Sequence, residues 1–164
     1  MKTRFVKGPG ETRRLLAAFA APSFRGMRSL TATFETDPEV AAELLPPPLL
    51  PAAVPVVTVS VYEVAQSNCV GPFRGAAVGL ACRFGGNEGV HCLSMPMSTD
   101  TAIIFGRELY AEPKKLADIR LDELPGGYLR GTVTRRGITV IEVRGQFQEG
   151  TREVDTERQS RHYY

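Results

Sequence analysis

Two adjacent lysines follow a proline in the stretch Gly106-Arg107-Glu108-Leu109-Tyr110-Ala111-Glu112-Pro113-Lys114-Lys115. Pro113 fixes the backbone just before Lys114, and Ile103, Ile104 and Phe105 supply apolar neighbours upstream. Burial penalises an ammonium more than a neutral amine, so a lysine held in such surroundings gives up its proton more readily. A second cation at Lys115 acts in the same direction. A neutral amine attacks carbonyl carbon and condenses to an imine. Lys114 and Lys115 are therefore candidate catalytic groups. Arg107 and Glu108 precede them as an internal ion pair that positions the lysine loop, or as a direct acid/base couple. Tyr62, Tyr110 and Gln66 are candidates for hydrogen bonding or proton donation in the surrounding pocket.

The elements that must hold these groups are mostly strands. Leu30, Ala32 and Phe34 alternate with Ser29, Thr31 and Thr33, the period of a half-buried strand. Asp37 can cap a helix with Pro38 at its first position and an apolar stripe of Val40, Ala41 and Leu44, before Pro46-Pro47-Pro48 stops it. Residues 54–64 alternate, with Val57, Val59 and Val61 on one side. Residues 73–84 form a second long apolar segment, in which Gly75 and Gly79 suggest bends or close backbone approach. Gly85 to Gly89 is a hairpin turn, and residues 90–97 return as its partner strand. Ser98-Thr99-Asp100 offers capping oxygens to a short helix over residues 101–109. Residues 116–121, 128–135 and 138–147 read as three more strands, with Arg136-Gly137 as a tight turn. His91 falls on a hairpin strand as a structural residue. Short turns between successive strands imply a mainly β, α+β fold: an antiparallel sheet curled into a barrel or cone around a pocket.

Length and composition narrow the functional classes. A chain of 164 residues with 43% hydrophobic content makes one domain with a core. It divides into a basic N-terminal arm with one short helix over residues 1–26 and a barrel domain over 27–164. Net charge is +2 with scattered basic residues, which argues against a nucleic-acid surface. Cys69, Cys82 and Cys92 are an odd number without a CxxC pair, as suits a reducing compartment, and two histidines are too few for a histidine metal site. Arg13-Arg14 before Leu15 to Ala21 resembles a leader, but Pro22 cuts the apolar run short, so a short packed helix in a cytoplasmic protein is expected. No apolar stretch approaches a membrane span. Exposed barrel edges favour a homo-oligomer.

The run G-R-E, four residues, then P-K-K resembles the lysine signature of the acetoacetate decarboxylase family. Residues 34–39, Leu44-Leu45-Pro46, residues 95–104 and Leu116-Ala117 are similar to family sequence too, so the resemblance covers roughly residues 24–164. Acetoacetate decarboxylase is itself the usual illustration of an activated lysine nucleophile. The resemblance implies Lys114 as the imine-forming residue, a small keto acid as substrate and no cofactor or metal, since the iminium is its own electron sink. Ala111 stands where many members have glycine. The family's two acidic residues align with Ser60 and Gly75, and its substrate-binding arginine aligns with Met27. Arg28 takes that role only if a bulge shifts the strand register. Members without the acidic pair resemble aldolase-dehydratases, so decarboxylation of a β-keto acid, aldol-dehydration and a non-catalytic ligand-binding barrel stay open. Family members continue beyond this length, and Tyr163-Tyr164 is expected to begin another strand of a chain that is short at its C-terminus.

Overall fold

The computed structural model describes residues 6–146 and 161–163. Helix α1 (Pro9–Ala20) starts where Glu11 Oε2 accepts from the Gly8 amide at 2.9 Å. Strand β1 (Phe24–Glu35) pairs antiparallel with β3 (Val56–Ser67), which pairs with β4 (Phe73–Phe84), which pairs with β5 (Asn87–Met97). The β4–β5 turn is Gly85-Gly86, both at positive φ, the geometry that matches strand twist in a two-residue hairpin. Helix α2 (Pro38–Leu44) is capped by Asp37, whose Oδ1 accepts from the Glu39 amide at 2.7 Å, and β2 (Leu50–Pro51) joins the edge of β4. Helix α3 (Asp100–Tyr110) follows β5, with Thr99 Oγ1 accepting from the Ala102 amide. The free edge of β5 takes two short parallel strands, β6 (Lys114–Leu116) and β10 (Arg161–Tyr163).

Strands β7 (Asp118–Leu124), β8 (Tyr128–Arg135) and β9 (Ile138–Gln146) form a separate three-stranded antiparallel sheet. The mainly β, α+β class is observed. The barrel takes the form of two facing sheets: among the described residues no ladder joins them, and the parallel β5–β6 and β5–β10 pairs make the larger sheet mixed. Apolar side chains alternate into three clusters that place the layers. Val61 and Ala76 meet Ile119, Val133 and Val143 between the sheets, and Val57 and Leu80 meet Ala41 and Leu45 under α2. Val64, Phe73 and Met97 meet Ala102 and Phe105 under α3.

Several expectations are revised. The buried face of α2 is Ala41 with Leu45, whereas Val40 and Leu44 are exposed, because the helix lies about one residue further round than the stripe implied. The strand read over 116–121 breaks at Ala117, where the chain leaves one sheet for the other. Phe147, residues 149–160 and Tyr164 lie outside the described residues. No helix among the described residues is long and apolar enough to cross a membrane.

Candidate active site

Lys114 points into a cavity of about 560 Å³ between α3 and the face of the larger sheet that carries Tyr62 and Val64. Its side chain is 10% exposed, and Nζ lies 2.6 Å from Glu112 Oε2. The rest of the wall is apolar or aromatic, Phe73, Met95 and Phe105 among it, with Tyr62 and Tyr110 as its hydroxyl-bearing residues.

Local chain geometry sets this pair. Helix α3 ends at Ala111, which adopts the left-handed conformation (φ 55°, ψ 23°), and its amide donates to the Gly106 carbonyl. The Glu112 amide donates to the same carbonyl at 3.2 Å. The chain then turns at Pro113, with the Lys114 amide donating to the Glu112 carbonyl at 2.8 Å, and enters β6. Glu112 and Lys114, two apart across an extended corner, thus face the same way, and the alternation of β6 sends Lys115 to the exposed side. A Cβ built at Gly106 would collide with Glu112 Oε2 and with Lys114 Nζ and Cδ. The missing side chain at Gly106 is therefore the seat of the ion pair.

Ala111 is the position where many family members carry glycine, and its positive φ supplies the reason. An L-residue with a Cβ is strained there. Ala111→Gly is expected to raise unfolding stability by about 1 kcal/mol while leaving the corner intact. Chemical denaturation would check it; a fall in midpoint would refute it.

Other sequence candidates fall in different places. Tyr62 and Tyr110 line the cavity, Tyr62 with its hydroxyl 4.0 Å from Met97 Sδ and Tyr110 with its ring 5.5 Å from that of Phe105. Gln66 lies at the exposed end of β3, opposite Arg25, outside the cavity wall. Arg107 and Glu108 are exposed on α3, and among the described residues no ion pair joins them. Their helical phase turns them outward while Gly106 faces the lysine. The acid beside the amine is Glu112 instead. A signal for it was present in the i, i+2 spacing of Glu112 and Lys114 across the proline.

Arg28 does not reach the cavity. The β1–β3 register runs without shift from Phe24↔Ser67 to Glu35↔Val56, so no bulge exchanges Met27 for Arg28. Gly26, at φ 63°, instead lets Phe24 and Met27, three apart, both face the cavity. Arg28 points to the other face, where Glu63 at 2.8 Å and Glu123 at 2.5 Å hold it and tie β1 and β3 to β7. Hydrogen bonds to these two carboxylates push the Arg28 guanidinium above its ordinary value. At the two positions aligned with acidic residues, Ser60 Oγ is bonded to Thr31 Oγ1 at 2.9 Å, and the Tyr62 ring fills the space a Gly75 side chain would need.

Cys92 lies within the electrostatic reach of the pair. Burial pushes its thiol up from the ordinary value; a backbone hydrogen bond with Ser94 opposes this, as does the Lys114 charge, while Glu112 adds to the rise. A thiol held protonated does not compete with the amine as a nucleophile.

Comparison with known proteins agrees with this architecture. The acetoacetate decarboxylase 1 of Bradyrhizobium diazoefficiens is 33% identical over 105 residues, covering 62% of this chain and 42% of the relative. The crystal structure of acetoacetate decarboxylase from Legionella pneumophila superposes with a TM-score of 0.71 at 25% identity, covering 83% of this chain and 53% of that one. An enduracididine biosynthesis enzyme, MppR, complexed with the condensation product of pyruvate and imidazole 4-carboxaldehyde, shares the fold at a TM-score of 0.57 and 19% identity, covering 71% of this chain and 52% of its own. The chain spans about half the length, or less, of these relatives. The sequence model described as acetoacetate decarboxylase (ADC) matches residues 9–163, and on that match the chain belongs to the acetoacetate decarboxylase family.

Proposed function

We propose that Lys114 is the nucleophile of a carbon–carbon lyase that binds a keto acid as its imine. The observation that carries this is a nearly buried lysine amine in an apolar cavity with one carboxylate at 2.6 Å. Glu112, rather than Lys115, supplies the activation. It accepts a proton from the ammonium, the freed amine adds to the carbonyl carbon, and the carbinolamine hydroxyl leaves as water with the proton that Glu112 returns. In the iminium, the electrons of a breaking C–C bond delocalise into C=N. Loss of CO2 from a β-keto acid such as acetoacetate then leaves an enamine, which is reprotonated at carbon and hydrolysed to release the ketone. Tyr62 and Tyr110 are placed to donate hydrogen bonds to bound oxygen atoms.

One observation favours a second reading with the same amine. The Tyr62 ring stands where an acidic side chain at position 75 would project, so the cavity wall presents a phenol there in place of a carboxylate. Aldol addition of a pyruvate-type enamine to an aldehyde, followed by dehydration, can use a hydroxyl donor there for the forming alkoxide. CO2 release from acetoacetate supports decarboxylation, and a conjugated chromophore from pyruvate plus an aldehyde supports condensation. Neither product, with no adduct on Lys114, would leave a ligand-binding module. The free thiols Cys69, Cys82 and Cys92 favour a cytoplasmic setting, and the exposed apolar Phe34 on the β1 edge and Val140 on the β9 edge favour self-association.

Glu112→Gln tests the proton transfer. The Lys114 adduct is expected to form still, at a rate lowered by about 100-fold, within the range for losing a positioned acid/base group. Borohydride trapping against time reads this. An unchanged rate would reduce Glu112 to a counter-ion.

A further inference from the structure

Among the described residues that line the cavity, the charged groups are Lys114 and Glu112, and they neutralise one another at 2.6 Å. Nearby cations are committed or turned elsewhere: Arg28 to Glu63 and Glu123, Arg74 to Glu63, and Lys115 to the exposed face. An anion placed against Phe73, Met95 and Phe105 would lose hydration with no cation to replace it. The volume of about 560 Å³ falls in the range that encloses drug-sized molecules, beyond what a keto acid of a few carbons fills.

We infer that the carbonyl compound bound by Lys114 carries an apolar arm, an aryl ring or a branched aliphatic chain, on the side of the carbonyl away from the bond that breaks or forms. This rests on the imine reading and adds a substrate class to it. The walls suit a ring. Phe24 and Phe73 meet edge to face at 6.0 Å, and Tyr62 and Phe73 at 6.3 Å, so a further ring can join the same packing pattern. Met27 and Met95 add unbranched, polarisable side chains that adapt to the arm. A second carboxylate on the arm is excluded by the same wall.

Acetone and benzylacetone are two methyl ketones with matched carbonyl chemistry that differ in the arm. In borohydride trapping on Lys114, with acetyl-lysine as control for solution reactivity, benzylacetone is expected to half-saturate at a concentration lower by about tenfold or more. Equal half-saturation would overturn the inference and leave the imine reading standing. Met27→Arg, at a 63% exposed position, is expected to shrink the benzylacetone advantage and to improve acetoacetate binding; no change in either would count against the arm. Should neither ketone be trapped, the imine reading fails and the pocket is decided separately. In Lys114→Ala with isotope-labelled methionine methyls, benzylacetone is expected to shift the Met27 and Met95 signals, and unmoved signals would overturn the inference.

Discussion

Lys114→Ala is expected to abolish imine trapping with every carbonyl compound and to lower any turnover by on the order of 10⁴-fold or more, since it removes the only covalent bond to substrate in the proposed mechanism. Lys115→Ala should keep most of both, because strand alternation in β6 places it on the far side from the cavity. The contrast matters more than either value. If the two variants lose trapping equally, the lysines act together, and the separation of their faces does not describe the working site. Peptide mass spectrometry of the borohydride-reduced protein reads both at once. Lys115 is exposed and Lys114 faces an open cavity, not one of the buried clusters of the core, so loss of fold is not expected to confuse the result.

Gly106→Ala is the second large effect, and it separates activity from stability. Alanine is the better helix residue by about 1 kcal/mol, which favours the variant in the unstrained part of α3. Its methyl, however, needs the space held by Glu112 Oε2 and by Lys114 Nζ and Cδ. Overpacking of this kind costs about 1–3 kcal/mol, so the thermal midpoint should move little or fall modestly. The amine and carboxylate must shift, and misplacement of reacting groups by about 1 Å costs on the order of 100-fold in rate. Trapping is therefore expected to drop by about 100-fold in a protein that stays folded. Full trapping in a folded variant would show that the pair can occupy a second arrangement.

The strands were legible because burial imposes period two on them. Residues 73–84 and 128–135 coincide with β4 and β8, and Gly75 and Gly79 mark close approaches, where a Cβ would collide with the Tyr62 ring and with Val90 Cγ1. Helix faces were less so, since seven residues of α2 contain too few apolar positions to fix a phase: Ala41 and Leu45 are buried, not Val40 and Leu44. Lys114, which lines the cavity, stood out in the sequence through its motif, whereas its partner Glu112 did not. Arg107 and Glu108 drew notice through charge, yet whether a helical residue faces inward depends on which side of the helix packs, and Ala102, Phe105 and Gly106 take that side. The closed barrel was an extrapolation from strand count. Closure depends on the pairing of edge strands, and β5 gives its free edge to β6 and β10 instead of to the second sheet.

Gly106, Ala111, Glu112 and Lys114 are near neighbours in the chain, and their arrangement is made by one helix end and one proline corner. Much of the cavity wall, in contrast, comes from Phe24, Met27, Tyr62 and Phe73, remote in sequence and carried by strands paired in a fixed register, while Ala102, Phe105 and Tyr110 add to it from α3. On the proposed imine reading, reactivity rests on a short continuous segment and much of the selectivity on a separate framework. Selection can rewrite one without disturbing the other. A lineage built this way is able to keep its reagent while changing what the reagent meets, and transplanting residues 111–117 between relatives should carry the amine's behaviour but leave the recipient's preference for its partner molecule in place.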